Sequence, residues 1–291
     1  ARVIHGWLED PPDLSEEEDE LLGGFITYSY ARQVLAEDPS WKDDLRADLQ
    51  MHSTYSDGTV SISEMAGGAA ALGYEYIAIT DHSKGLKIAG GIDEETLAAQ
   101  GAEIEDVNRQ LDELDAGLIV LKSIELNFDT TGAGDMEPDA LSALDVVVGS
   151  FHSKLRRKED QTDRAMGAVR NPDVQIVGHP AGRMFGVRHG VRADWRAVME
   201  EGRKRGKAFE INAQPNRQDL SLELLACARD TGVMLSIGTD AHSTGEFYNV
   251  DLSLAAAALA GIPKQQIVNF LPLEDFLAWV DTSRSLATRP T

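Results

Sequence analysis

Cysteine is nearly absent. Cys227 is the single one in 291 residues. That excludes an internal disulfide framework and any Cys-rich zinc module. Cations are outnumbered, 27 Lys and Arg against 49 Asp and Glu, for a formal charge of −22. Such a balance opposes nonspecific binding to long duplexes, which rests on clustered Lys and Arg releasing counterions. It leaves room for a local basic cleft, or for an acidic site that holds divalent metal between protein and phosphate. No run approaches ~18 consecutive apolar residues, so no membrane span is expected. The opening ARVIHGWLEDPPDLSEEEDE has neither the basic nor the apolar region of a signal peptide. It also starts without Met, as a processed or trimmed chain does. A cytoplasmic protein is the expectation.

Hydrophobic residues make up 42% of the chain, enough for a sizeable buried core. Residues 1–44 read as an acidic arm. DPPDLSEEEDE starts a helix or stays solvated, and FITYSYARQVLAEDPSW reads as one short amphipathic helix ended near Pro39. Residues 45–291 read as one domain with a different grammar. Candidate strands are RADLQMH (46–52), YIAIT (76–80), LIVLKSIEL (118–126), DVVVGS (145–150), VQIVG (174–178), AFEIN (208–212) and MLSIGT (234–239). Helix-period segments lie between them, several starting at Ser, Asp or Pro and ending near Gly or Asn. Near-continuous apolar strands alternating with helices imply an α/β fold whose parallel sheet is buried on both faces. The repeat count favours a closed or distorted barrel over an open doubly wound sheet. No GxGxxG follows the first strand, so a dinucleotide-binding fold has no local support.

In such a barrel the chemistry sits at the C-terminal strand ends. Strand one ends in Gln50-Met51-His52, with Asp57 in its loop. Strand two runs into Asp81-His82. Strand three contains Glu125. Strands four and five run into His152 and His179. Strand six closes with Glu210-Ile211-Asn212, and strand seven runs into Asp240-Ala241-His242. Five of the seven histidines thus fall at or just past five different strand ends. Imidazole with carboxylate ligates Zn, Mn or Fe. So many groups exceed one site and point to a cluster of two or three ions. Alternate strand residues share a face, which puts Gln50 with His52 and Asp240 with His242. The Gln50 amide oxygen is a weaker ligand than imidazole.

DLQMHSTYSDG, YIAITDHS, IEL, GSFHS, VGHP and GTDAH, in this order, resemble the successive motifs of the PHP (polymerase and histidinol phosphatase) domain. The likeness covers residues 46–280. It is nearest to the C-terminal PHP domain of bacterial family X DNA polymerases and to related stand-alone PHP proteins, as TDHSKGLKIAGGIDE and EINAQPNRQDL indicate. The resemblance implies a distorted (β/α)7, TIM-like barrel with up to three divalent ions. One site would come from Gln50, His52, Glu125 and Asp240. A second would come from Glu125, His152 and His179, with Glu125 bridging. A third would come from Asp57, His82 and His242. Gln50 stands where the family pattern has His, and Asn212 where many relatives have Asp.

Clustered divalent ions lower the pKa of bound water and neutralise phosphate charge, so phosphoester hydrolysis needs no side-chain nucleophile. Glu125, His179 and Asp240 are the expected catalytic residues, Asp240 also being suited to position the water or carry its proton. Arg183, Arg217 and Lys84 are candidate phosphate binders. Cys227 reads as core, Ser56 and Ser153 as loop hydrogen-bonders, His189 as part of a lid, and His5 as lying outside the barrel. The expected activity is phosphoester hydrolysis on nucleotides or nucleic acid 3′ ends. The alternatives are a small-metabolite phosphomonoesterase, such as a histidinol-phosphate phosphatase, and an inactive metal-bound interaction module. The expected partner is accordingly a phosphorylated small molecule or a nucleic acid 3′ end.

Overall fold

The computed structural model describes residues 23–287. His5 and the acidic run DPPDLSEEEDE lie outside the described residues. The chain continues through α1 (Tyr28–Glu37), α2 (Ser40–Asp43), β1 (Ala47–Met51), α3 (Ile62–Ala71), β2 (Tyr76–Ile79), α4 (Glu94–Glu113), β3 (Ile119–Lys122), β4 (Glu125–Asn127) and α5 (Pro138–Ser142). It then forms β5 (Val148–Ser150), α6 (Thr162–Arg170), β6 (Ile176–Gly178), α7 (Trp195–Lys204), β7 (Ala208–Asn212), α8 (Leu222–Thr231), β8 (Met234–Gly238), α9 (Val250–Leu259) and α10 (Leu273–Ala287). The helix starts follow local chemistry. Ser61 and Glu64 form a capping box at α3, and Asp93, Asp194 and Ser221 cap α4, α7 and α8. Gly232 ends α8 in the left-handed region, at φ 69°.

All strand pairs are parallel, in two sheets ordered β1-β2-β3 and β4-β5-β6-β7-β8. This is an α/β fold of the TIM-like barrel type. The strand expected over 118–126 is two strands here. β3 pairs with β2 and β4 pairs with β5, so the chain changes neighbour at Ser123 and Ile124. Isolated backbone bridges cross both seams. Glu125 N–H donates to the Asp81 carbonyl at 3.0 Å, and Asp240 N–H donates to the Gln50 carbonyl at 2.9 Å.

β1 carries a register shift between Asp48 and Met51. Ala47 and Leu49 pack with Tyr76, Ala78, Val148 and Ala208 in a cluster that Phe276 and Val280 of α10 enter. Met51 packs instead with Ile77 and Ile79 in the larger core against the helices. The shift is a bulge, and it moves Gln50 and His52 onto the phase that Leu49 occupies one residue earlier. α10 thus fills one end of the strand set with apolar side chains and leaves the C-terminal strand ends for polar ones.

The helix expected before Pro39 is α1, capped by Thr27. Ala31 and Leu35 are buried in the main core, and the Tyr28 hydroxyl donates to Asn249. No helix among the described residues is long and apolar enough to cross a membrane.

Candidate metal centre

The loops after the strands bring His52, Asp57, His82 and His242 together. One ligand atom from each lies within 4.8 Å of the others. Asp57 Oδ1 is 3.3 Å from His242 Nε2, 3.5 Å from His82 Nε2 and 3.9 Å from His52 Nδ1. The His52 ring is stacked between His82 and His242, at centroid separations of 4.4 and 4.5 Å. Glu125, His82 and His152 form a second such group. Glu125 Oε1 lies 2.7 Å from His179 Nε2 and 3.2 Å from His152 Nε2, while Oε2 lies 3.0 Å from His82 Nδ1 and 3.6 Å from His52 Nε2. One fully buried carboxylate therefore faces four imidazoles. Asp240 joins from the other side, with Oδ1 at 3.0 Å from His52 Nε2.

Gln50 does not make contacts of this kind. Its amide, oriented so that nitrogen faces acceptors, donates to Glu210, with Oε2 at 2.9 Å. Among the phosphate-binding candidates, Arg217 stays at the centre, Nε 3.8 Å from Asp240 Oδ2. Arg183 is buried beneath the Phe25 ring, its Cζ 3.8 Å from the centroid. Lys84 is engaged on the surface by Glu94 at 2.7 Å.

The charges in this cluster are strongly coupled. Burial opposes ionisation of Glu125, but His82, His152 and His179 hold its carboxyl well below the usual range. Asp57 is likewise depressed against its burial, by His242 and His82. Burial disfavours the His82 cation, yet Glu125 and Asp57 raise its pKa to about 10; for His242, Asp57 and Asp240 raise it to about 9. His179 goes the other way, lowered to about 4 by burial and by the Arg217 charge. Burial and the Asp240 charge push Glu210 well above the carboxylate range.

Surrounding residues hold the cluster in place. Buried Asp81 accepts from Ser53 N–H at 2.8 Å, the Ser53 hydroxyl at 2.6 Å, Ser56 N–H at 3.2 Å and the Gln100 amide at 2.6 Å. That anchors the loop bearing Asp57. Asp48 accepts from Thr239 N–H at 3.0 Å, tying β1 to the residue before Asp240. The Asn127 side-chain oxygen Oδ1 lies 3.2 Å from His152 Nδ1, and the Asp240 backbone carbonyl 2.8 Å from His242 Nδ1. His179 and Asp240 adopt positive φ, 24° and 56°. Such conformations cost about 1–3 kcal/mol each and gather at functional sites. Asp48, Asp81, Asn127 and Glu210 escaped the sequence reading as site residues.

The donor set fits divalent metal. His52 Nδ1 and His179 Nδ1 are buried without a hydrogen-bond partner, and His82 Nδ1 and His152 Nε2 lie 3.0 and 3.2 Å from Glu125 oxygens without good hydrogen-bond geometry. Unpartnered buried nitrogens are costly. Here they belong to imidazoles packed around three carboxylates, which is borderline-metal chemistry.

Residues 48–171 match the model of the PHP domain, and the fold and the site agree with it. The chain therefore carries a PHP domain. Its relatives include the DNA polymerase/3′-5′ exonuclease PolX of Bacillus subtilis, 35% identical over 93% of this chain. The chain spans 45% of that protein's length. A "Probable phosphatase" of Caldicellulosiruptor saccharolyticus is 27% identical over 76% of this chain and 89% of its own length. The crystal structure of hisK from Listeria monocytogenes, named for histidinol phosphatase, superposes with a TM-score of 0.53 at 13% identity. It covers 69% of this chain and 97% of that one, a likeness of fold.

Proposed function

We propose that this chain is a metal-dependent phosphoester hydrolase acting on nucleotides or nucleic acid 3′ ends. The observation that carries the hydrolase reading is the convergence of the His52, His82, His152 and His179 imidazoles on the buried Glu125 carboxylate, with Asp57 and Asp240 beside them. His52, Asp57, His82 and His242 would hold one ion, and Glu125, His152 and His179 another, with Asp240 completing the set. Bound metal would supply a water of lowered pKa and a counter-charge for the phosphate.

The remaining steps belong to the chain's own groups. Arg217 presents its guanidinium beside Asp240, where it would bind the non-bridging phosphate oxygens. Asn212 donates to Asp240 Oδ2 at 3.2 Å, which fixes the carboxylate that would orient the attacking water. Attack at phosphorus then breaks the P–O bond to the leaving alcohol.

Local charge supports a polyanionic substrate. Residues 152–192 hold nine Lys and Arg against four Asp and Glu, in a chain of net charge −22. This stretch includes the loops after β5 and β6, which carry His152 and His179. Arg188 is lowered by burial and then by repulsion from Arg217 and Arg156, so three cations share one neighbourhood. Arg188 donates to the Gly182 carbonyl at 2.6 Å rather than to a carboxylate. A stretch of several phosphates would neutralise such a group. The exonuclease name of the Bacillus relative agrees with this reading. The phosphatase name of a relative matched over 89% of its length favours a second one, hydrolysis of a small phosphomonoester.

Mn²⁺ or Zn²⁺ added after chelation should restore hydrolysis of a generic phosphate ester. His179→Ala and Asp240→Ala should abolish it while the circular dichroism spectrum is kept. Normal turnover by both variants rejects the assignment. Stepwise shortening of a labelled oligonucleotide supports the first reading. Phosphate release from metabolites alone supports the second. A fully metallated protein that hydrolyses neither is an interaction module.

A further inference from the structure

The segment ahead of the first barrel strand reaches the candidate centre through two loops. Gln218 binds it as a strand neighbour would. Its side-chain oxygen accepts from Ile26 N–H at 2.8 Å, and its amide donates to the Ile26 carbonyl at 2.9 Å, across 192 positions of sequence. Phe25 sits between Arg183, whose Cζ is 3.8 Å from the ring centroid, and Phe185, edge-on at 5.1 Å. Phe185 N–H in turn donates to the Asn216 carbonyl at 2.8 Å. Gly24–Ile26 thus joins the loop after β6 to the loop after β7.

The second of these loops matters because of its next residue. Arg217 precedes Gln218 and stands 3.8 Å from Asp240. Gln218 holds φ at 43°, a conformation that persists in a side-chain-bearing residue only when its surroundings enforce it. On the other flank, Gln214 donates to the Asp240 carbonyl at 2.8 Å. The loop is therefore pinned at Gln214 to the centre and at Gln218 to the arm, with Arg217 between.

We infer that Gly24–Ile26 is a clasp that sets the position of Arg217, and that Phe25 and Gln218 are positioning residues for phosphate binding. This rests on the phosphoester-hydrolase reading of the centre. The arm is then part of the substrate side of the molecule, although it supplies no group to the reaction.

The test uses the full metal-loaded chain with Phe25→Ala, Gln218→Ala and the conservative Phe25→Tyr. The two alanine variants should raise KM for a phosphodiester about tenfold and leave kcat within about twofold. Metal content per chain should stay at the parental value, and Phe25→Tyr should restore KM. Amide exchange over residues 213–220 should accelerate in both alanine variants. Parental KM, or a fall in kcat at constant KM, overturns the clasp. If the parent protein hydrolyses no ester, the hydrolase reading has failed. The exchange measurement then decides alone, and unchanged protection of 213–220 overturns the clasp. Either alanine variant suffices if the other does not fold.

Discussion

Gln50 and Glu210 face each other at the centre, the Gln50 amide nitrogen 2.9 Å from Glu210 Oε2. Glu210 also accepts from His179 N–H at 2.6 Å and from the Asn212 amide at 3.3 Å. Burial and Asp240 favour its neutral form, so a neutral amide is a partner that adds no charge. Replacing Gln50 by Glu would set a second carboxyl against it. Two such groups keep a proton between them, so the pair loses its last proton only well above the unfolded carboxyl values. Their stabilising contribution is complete below the unfolded value and is lost as pH rises. Metal-free Gln50→Glu should therefore lose about 2 kcal/mol or more at pH 8 and far less at pH 5, measured by urea unfolding. An equal loss at both pH values contradicts this account of the pair.

Asp81 gathers donors from Ser53, Ser56 and Gln100 and has no short contact to the clustered imidazoles. Its removal should loosen Asp57 without deleting a ligand. Asp81→Ala should weaken metal binding about 10–100-fold, the usual cost of a lost outer hydrogen-bond partner. Titration against a chromophoric chelator reads this directly, and parental affinity would show that the loop holds itself.

His82 and His242 have pKa values raised to about 10 and about 9. Their metal-free imidazoles are protonated at neutral pH, and a ligand must be neutral. Metal affinity should therefore rise steadily from pH 6 to pH 9. Calorimetry at pH 7 in buffers of different ionisation heat should show release of about two protons. An affinity that does not change over this range removes these two residues from the ligand set.

Arg217 and Lys84 looked equivalent as candidate phosphate binders, and tertiary structure separates them. Arg217→Ala should lower kcat/KM about 100-fold, as loss of a charge-assisted contact to phosphate does. Lys84→Ala should stay within about threefold, since its ammonium is paired with Glu94 at 2.7 Å. The reverse order would move the phosphate to the other side of the centre.

Strand ends, helix caps and histidine positions were legible because they are local. An apolar run followed by Asp-His or Gly-His carries its meaning within ten residues, and the barrel type follows from the alternation. Partner choice was not legible. The stretch read as one strand over 118–126 changes neighbours at Ser123–Ile124, because a curved sheet must pass from one ladder to the next there. The polar pair Lys122-Ser123 interrupts the apolar run there, but it does not say which neighbour each half joins.

Residue order alone placed His52, His82, Glu125, His152, His179, Asp240 and His242 at strand ends, since chain direction and strand period are local properties. Which of them share a neighbour came only from packing. The bulge in β1 aims Gln50 at Glu210, Glu94 draws Lys84 away, and Phe25 covers Arg183 from the arm. Each of these is a contact between segments far apart in sequence, settled by burial and charge when the chain closes on itself.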